Sequence, residues 1–180
     1  MNCRLFWTKV KRRICGNPYE TILELNSRGV KIGKNCHLYN VNIDRSHGFL
    51  VEIGNDVTLT NMTILAHDAS TKFYLGYTKV GRVSIGDRVF AGYQSIILPG
   101  TTIGDDVIIG AGAVVRGNIP SDSVVAGNPA AIIGKTSEYI SKNRDRLNQV
   151  PVFNTSWHDK SQSDRQEMID KLINTMGFDI

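Results

Sequence analysis

The chain of 180 residues has three cysteines, Cys3, Cys15 and Cys36, an odd number with no two at the spacing of a metal-binding pair. That argues against a disulfide framework and against a cysteine-built zinc site, and reduced thiols are the simplest state. No stretch approaches the roughly 20 consecutive apolar residues that a membrane-spanning helix needs. Residues 1–13 contain no apolar run of signal-peptide length, so no leader is expected and the protein is expected in the cytoplasm. Acidic residues are scarce at one end. Up to Asn40 only Glu20 and Glu24 face eight lysines and arginines, a net charge of +6, whereas the remainder carries −2. The overall charge of +4 is therefore local to an N-terminal arm, and with no recognised motif beside it nucleic-acid binding is not expected.

What is abundant is a period of six. Ile85, Ala91, Ile97, Ile103, Ile109 and Val115 stand six apart, and the fifth places, Val89, Ser95, Thr101, Val107, Ala113 and Ile119, are small or β-branched. A helix repeats every 3.6 residues and a strand every two, so neither places an apolar residue on each sixth position over residues 85–120. A solenoid does. Three hexads closing a triangular coil would stack Ile85 under Ile103, Ala91 under Ile109 and Ile97 under Val115, with coils about 4.8 Å apart. No coil buries its inner face alone, and only the stack makes a core. Gly86, Gly92, Gly104 and Gly110 at the second places are expected to supply the unusual φ of each corner.

The coil is expected to begin near Ile32, to lose register around residues 42–48, and to resume with hexads starting at Ile53, Leu59 and Leu65. From Ile32 to Ile53 there is room for one coil and a three-residue bulge; from Ile53 to Ile85, one coil and an insertion of 14 residues within 71–84. A loop of that length in a tight repeat serves a site more often than a scaffold. The chain thus divides into a basic arm at 1–28, a mainly β solenoid at 29–134 and a helical tail at 135–180. In the arm, Leu5, Phe6, Trp7, Val10 and Ile14 have the spacing of a short amphipathic helix. It reads first as a segment packed on the end of the stack, and second as a peripheral contact with an anionic membrane. In the tail, residues 137–149 read as a polar helix. Residues 163–176 read as an amphipathic one, with a capping box at Ser163 and Gln166 and a stripe of Met168, Ile169, Leu172, Ile173 and Met176.

The hexads, together with the closing segment from Val124 to Ile133, resemble the hexapeptide-repeat acyltransferases. Within them they resemble the branch of galactoside, maltose, streptogramin and surface-polysaccharide O-acetyltransferases. The resemblance implies a left-handed parallel β-helix, a homotrimer with active sites at subunit interfaces, and acetyl-CoA as acyl donor without a metal. It also implies a histidine base. Of His37, His47, His67 and His158, His67 follows an aliphatic run directly before the insertion, as the family's catalytic histidine does, and an imidazole suits proton removal from a hydroxyl at neutral pH. The family's donor contacts fall on Tyr93, Ala111 and Arg116, with Lys135 near the phosphates. Asp68, Tyr74 and Tyr77 are acceptor-side candidates. Asp68 is equally readable as a turn carboxylate that holds the loop, and the tyrosines as packing within it. With no nucleophile pair beside His67, direct attack is expected rather than an acyl-enzyme.

The expected activity is O-acetylation of a sugar hydroxyl in a surface polysaccharide or its precursor, with antibiotic acetylation as the alternative. A zinc enzyme of the γ-carbonic-anhydrase kind needs three imidazoles, including a pair four residues apart that this sequence lacks. A non-catalytic trimeric scaffold would have no use for an outward histidine beside an aromatic loop.

Overall fold

The computed structural model describes residues 22–180. The arm residues Leu5, Phe6, Trp7, Val10 and Ile14 lie outside that range. The chain forms two compact units, the first ending at Thr136 and the second covering 137–180.

The first unit opens with a short helix, α1 (Ile22–Ser27), and then winds through strands of two to four residues that make three parallel faces. Face one holds β1 (Lys31–Ile32), β4 (Val51–Ile53), β9 (Val83–Ile85), β12 (Thr102–Ile103) and β15 (Asn118–Ile119). Face two holds β2 (His37–Tyr39), β5 (Thr58–Thr60), β10 (Phe90–Ala91), β13 (Ile108–Ile109) and β16 (Val124–Gly127). Face three holds β3 (Asn42–Ile43), β6 (Thr63–Ile64), β11 (Ile96–Ile97) and β14 (Val114–Val115). The chain visits the faces in the order one, two, three. The expected stacking holds residue for residue: Ile85 pairs with Ile103, Ala91 with Ile109 and Ile97 with Val115. Each of those six side chains is buried, as are Val89, Val107 and Ala113 at the corners. Burying one such aliphatic side chain contributes about 1.5–3 kcal/mol, so the stack is stabilised along its whole axis. Ala91 between Leu59 and Ile109 is the narrow layer of that column. A final strand, β17 (Ala130–Gly134), folds back antiparallel on β16 after a cis Asn128–Pro129 bond.

Three expectations need correction. The second-place glycines do not have positive φ; the left-handed residues are at the fourth places, Arg88, Gln94, Gly100, Asp106 and Gly112. Glycine is required at the second place because coils touch there. A Cβ on Gly86 would lie 2.7 Å from the Gly104 carbonyl carbon, and one on Gly92 would lie 2.6 Å from the Ala111 nitrogen. The third place explains the recurring Asn and Asp. Asn55, Asp87, Asp105 and Ser121 each accept a backbone N–H from the coil before, at 2.7–2.9 Å. Second, Ile64 rather than Leu65 is the inward residue, paired with Ile97, because the corner after Leu59 is one residue short. Third, the last hexad is truncated: Ile119 pairs with Ile103 and is an inward strand residue, not a corner.

The first unit ends on the first residue of α3 (Thr136–Arg146), and the second continues with β18 (Val152–Phe153), α4 (Gln162–Lys171) and β19 (Phe178–Asp179), with β18 and β19 parallel. The capping box exists two residues earlier than expected. The Ser161 side chain accepts the Asp164 N–H and Asp164 accepts the Ser161 N–H. Aspartate reaches back as glutamate would, so the helix starts before Ser163, and it stops at Lys171 rather than Met176. The expected apolar stripe is not a buried face, since Ile169, Ile173 and Met176 are exposed.

Candidate active site

Two irregularities interrupt the stack, and both leave the same corner, between faces three and one. On the first coil the extra residues follow Ile43 and end in a 3-10 turn, Gly48–Leu50. On the next coil the insertion follows Ile64. It begins with β7 (His67–Asp68), passes through a 3-10 turn and a short helix, α2 (Lys72–Leu75), and returns in β8 (Lys79–Val80), antiparallel to β7. Gly76, at φ +74, ends α2 and turns the chain back.

At this corner Asp44 and His67 meet. Asp44 continues β3, its N–H bonded to the Ile64 carbonyl, and its carboxylate has no exposure. His67 Nδ1 donates to Asp44 Oδ2. The backbone N–H groups of Ser46 and His47 donate to Oδ1, each at 3.0 Å, and that of Ala66 to Oδ2 at 3.1 Å. Burial alone would raise the Asp44 pKa. The bonds from His67 and from the His47, Ala66 and Ser46 backbone outweigh it and hold the carboxyl at about 2. An ionised carboxylate accepts only, so the shared proton sits on His67 Nδ1, and in the neutral ring Nε2 carries the lone pair. The ring is about one-third exposed, enough for a reactant to reach it. His47 tilts against it with centroids 4.9 Å apart, and its Nδ1 is 3.7 Å from Asp44 Oδ1. One donor atom each from Asp44, His47 and His67 lies within 4.8 Å of the others, a set that could hold a metal ion.

The sequence singled out neither Asp44 nor His47. The signal lay in the arithmetic: the three-residue bulge between Ile32 and Ile53 had to leave the stack at some corner, and it leaves where the later insertion does. Asp68, adjacent to His67, faces elsewhere. Its carboxylate pairs with Lys79 at 2.6 Å and caps the following turn through the Ser70 N–H, which together hold it well below the usual carboxylate range. It therefore ties the two ends of the insertion together. Phe73, Tyr74 and Tyr77 are between 80 and 91% exposed, too open to be the core of a folded loop.

The residues expected along the donor path are spread over the coil. Tyr93 and Ala111 occupy the corner between faces two and three on adjacent coils, where the Gly112 N–H donates to the Tyr93 carbonyl at 2.8 Å. Arg116 is on the His67 corner, two coils further along the stack, and Lys135 directly follows β17. All four are exposed. On face three a shallow groove is lined by Asn40, Asn42, Asn61, Thr63 and Gln94.

Comparison with known proteins fits this architecture. Residues 82–117 match the family model described as bacterial transferase hexapeptide (six repeats). The chain is 34% identical over 148 residues to Protein CapG of Staphylococcus aureus, covering 77% of this chain and 81% of that protein. A local match of 55% over 53 residues links it to the putative lipopolysaccharide biosynthesis O-acetyl transferase WbbJ of Escherichia coli (strain K12), covering 29% of this chain and 27% of that protein. The fold is shared with a galactoside acetyltransferase solved in complex with coenzyme A, at a TM-score of 0.51 and 22% identity over 76% of this chain and 82% of that one. The chain is a left-handed parallel β-helix and an acyltransferase. The chain belongs to the bacterial hexapeptide-repeat transferase family. Among the described residues no helix is long and apolar enough to cross a membrane.

Proposed function

We propose that the protein is an acetyl-CoA-dependent O-acetyltransferase acting on a hydroxyl of a sugar, in a surface polysaccharide or its precursor. The observation that carries this reading is the Asp44–His67 pair, a buried carboxylate fixing the tautomer of a solvent-reachable imidazole at the corner where the repeat opens. His67 Nε2 takes the proton of the acceptor hydroxyl as its oxygen attacks the thioester carbonyl. Negative charge collects on the carbonyl oxygen, where a backbone N–H is the expected partner. Collapse expels the thiolate of coenzyme A, which recovers the proton from Nε2. Asp44 stabilises the imidazolium between the two transfers without itself becoming protonated. No covalent enzyme intermediate is required.

A glycan acceptor is supported by the local similarity to WbbJ, a putative lipopolysaccharide biosynthesis O-acetyl transferase. It is also supported by the amide-lined groove on face three and by the exposed Tyr74 and Tyr77, side chains suited to hydroxyl groups and sugar faces. The donor path is assigned to Tyr93, Ala111, Arg116 and Lys135, contributed around a homotrimer so that residues on different corners of one chain meet across subunit boundaries. The exposed apolar insertion is suited to such a neighbour. A donor of this kind would place the reaction in the cytoplasm.

Thiol release from acetyl-CoA, measured across sugars, oligosaccharides, streptogramin and chloramphenicol, tests the reading. Turnover restricted to glycans is expected; turnover restricted to the antibiotics would overturn the acceptor class. His67→Ala should lower kcat by about 10² to 10⁴, and a full rate in that variant would remove the base assignment.

A further inference from the structure

We propose that Asp44, His47 and His67 form a binding site for a divalent late-transition-metal cation, zinc foremost, and that its occupancy switches off the His67 base. The binding half stands on the donor set alone; the switching half rests on the role of His67 proposed above.

Two imidazoles and one carboxylate are a ligand set that suits zinc and its neighbours and not magnesium or calcium, which take oxygen. The three donor atoms already lie within 4.8 Å of one another. A tetrahedral centre with bonds near 2.0–2.1 Å holds its ligands about 3.3 Å apart. The remaining closure is available from rotation of two rings that are only partly buried, His47 at 28% and His67 at 34% side-chain exposure. The carboxylate need not move, because three backbone N–H groups orient it, an outer shell of the kind that supports metal ligands.

A second observation is independent of the count of donors. His47 Nδ1 is shielded from solvent and has no hydrogen-bond partner, although it faces Asp44 Oδ1 at 3.7 Å. A buried polar nitrogen without a partner is destabilising. A cation between His47 and Asp44 would satisfy it. The exposed side of the two rings leaves the fourth position to water.

The effect on His67 follows from its two nitrogens. In the free site Nδ1 carries the proton and Nε2 the lone pair that accepts the substrate proton. A cation bound through Nδ1 displaces that proton to Nε2, so the ring stays neutral, no proton is released, and the lone pair needed for catalysis is gone. A cation bound through Nε2 occupies the lone pair itself. Both modes give an inactive enzyme that a chelator restores.

The test uses the untagged full chain, treated with EDTA and dialysed, titrated calorimetrically with zinc chloride and, in parallel, magnesium chloride. The same titrations are made on His47→Gln and Asp44→Asn, with circular dichroism to confirm the coil. Zinc should bind the parent once per chain with micromolar or tighter affinity, magnesium should not bind, and His47→Gln should weaken zinc about tenfold or more. No stoichiometric zinc in the parent, or equal affinity in folded His47→Gln, overturns the site. Because Cys36 and the other thiols are unchanged in the variant, binding through them would appear as that equal affinity. In the second arm, acetyl transfer by the parent should fall as zinc is added and return with EDTA, with the inhibiting concentration raised about tenfold in His47→Gln. Zinc bound without loss of rate, or with a gain, overturns the switch. Absence of transfer before any zinc is added would count against the acetyltransferase reading, while the calorimetric arm still decides the site.

Discussion

From Ile85 onward the corner between faces three and one is crossed in a few residues: Ile97 is followed by Ile103, and Val115 by Ile119, each pair forming consecutive inward layers. On the first two coils the same corner is crossed from Ile43 to Ile53 and from Ile64 to Ile85. The regular coils carry a run of polar side chains that serves the backbone. The ladder from Asn55 through Asp87 and Asp105 to Ser121 satisfies N–H groups of the neighbouring turn. The irregular coils bring together a buried carboxylate and two imidazoles that no strand pairing requires. Rigidity comes from the repeat, and the candidate catalytic groups gather where it is broken at one corner. The stacked core gives that corner its precision, since Asp44 is anchored on β3 by the Ile64 carbonyl before it reaches for His67.

The contrast can be broken from the regular side first. Ile109→Ala removes a fully buried layer between Ala91 and Val125, and should cost about 2–5 kcal/mol in denaturant unfolding while leaving kcat unchanged below the melting range. From the irregular side, replacing residues 70–77 by a short glycine–serine link should do the opposite. Activity should drop by about 10²-fold through lost acceptor positioning, with a stability change smaller than that of the core variant, because Phe73, Tyr74, Leu75 and Tyr77 bury little.

Acid sharpens the comparison next. The Asp44 carboxyl has its pKa lowered from 3.8 to about 2 in the folded chain, so the stability it contributes is present above pH 3.8 and is lost as the pH falls toward 2. That amounts to about 2 kcal/mol. The difference in unfolding free energy between the parent and Asp44→Asn should therefore shrink by about that much between pH 5 and pH 2. A difference that stayed constant would mean that the carboxylate is not stabilised by its folded partners. The smallest effect belongs to Lys79→Ala. Its partly exposed bridge to Asp68 is screened by solvent, so its loss should be detected only as a slight fall in melting temperature and a rise in KM for the acceptor.

The regular half was legible because its rule is local: an inward aliphatic on every sixth residue leaves one register, and Ile85, Ala91 and Ile97 stack as that rule requires. The rule did not say why glycine follows. Positive φ and close approach leave the same letter in a sequence, and only the stacked coils separate Gly86, which is crowded, from Gly112, which is left-handed. Leu65 and Ile64 are both aliphatic, and a corner one residue short cannot be told from a full one in such a run. His67 was legible from its place before the insertion. Asp44 was not, because it is 23 residues away from its partner, in a stretch where the period had lapsed. The cap expected at Ser163 lies at Ser161, because the aspartate at 164 reaches back in place of Gln166.

The claim on which the account turns is that Asp44 and His67 act as one catalytic unit. The direct test is kcat for Asp44→Asn, His67→Ala and the double variant, measured with saturating acetyl-CoA and a glycan acceptor. Each single change should reduce the rate by about 10² or more, and the double variant should be no slower than His67→Ala alone, as expected of residues that work through one another. If the two losses multiply, the carboxylate and the imidazole act independently, and the account is contradicted.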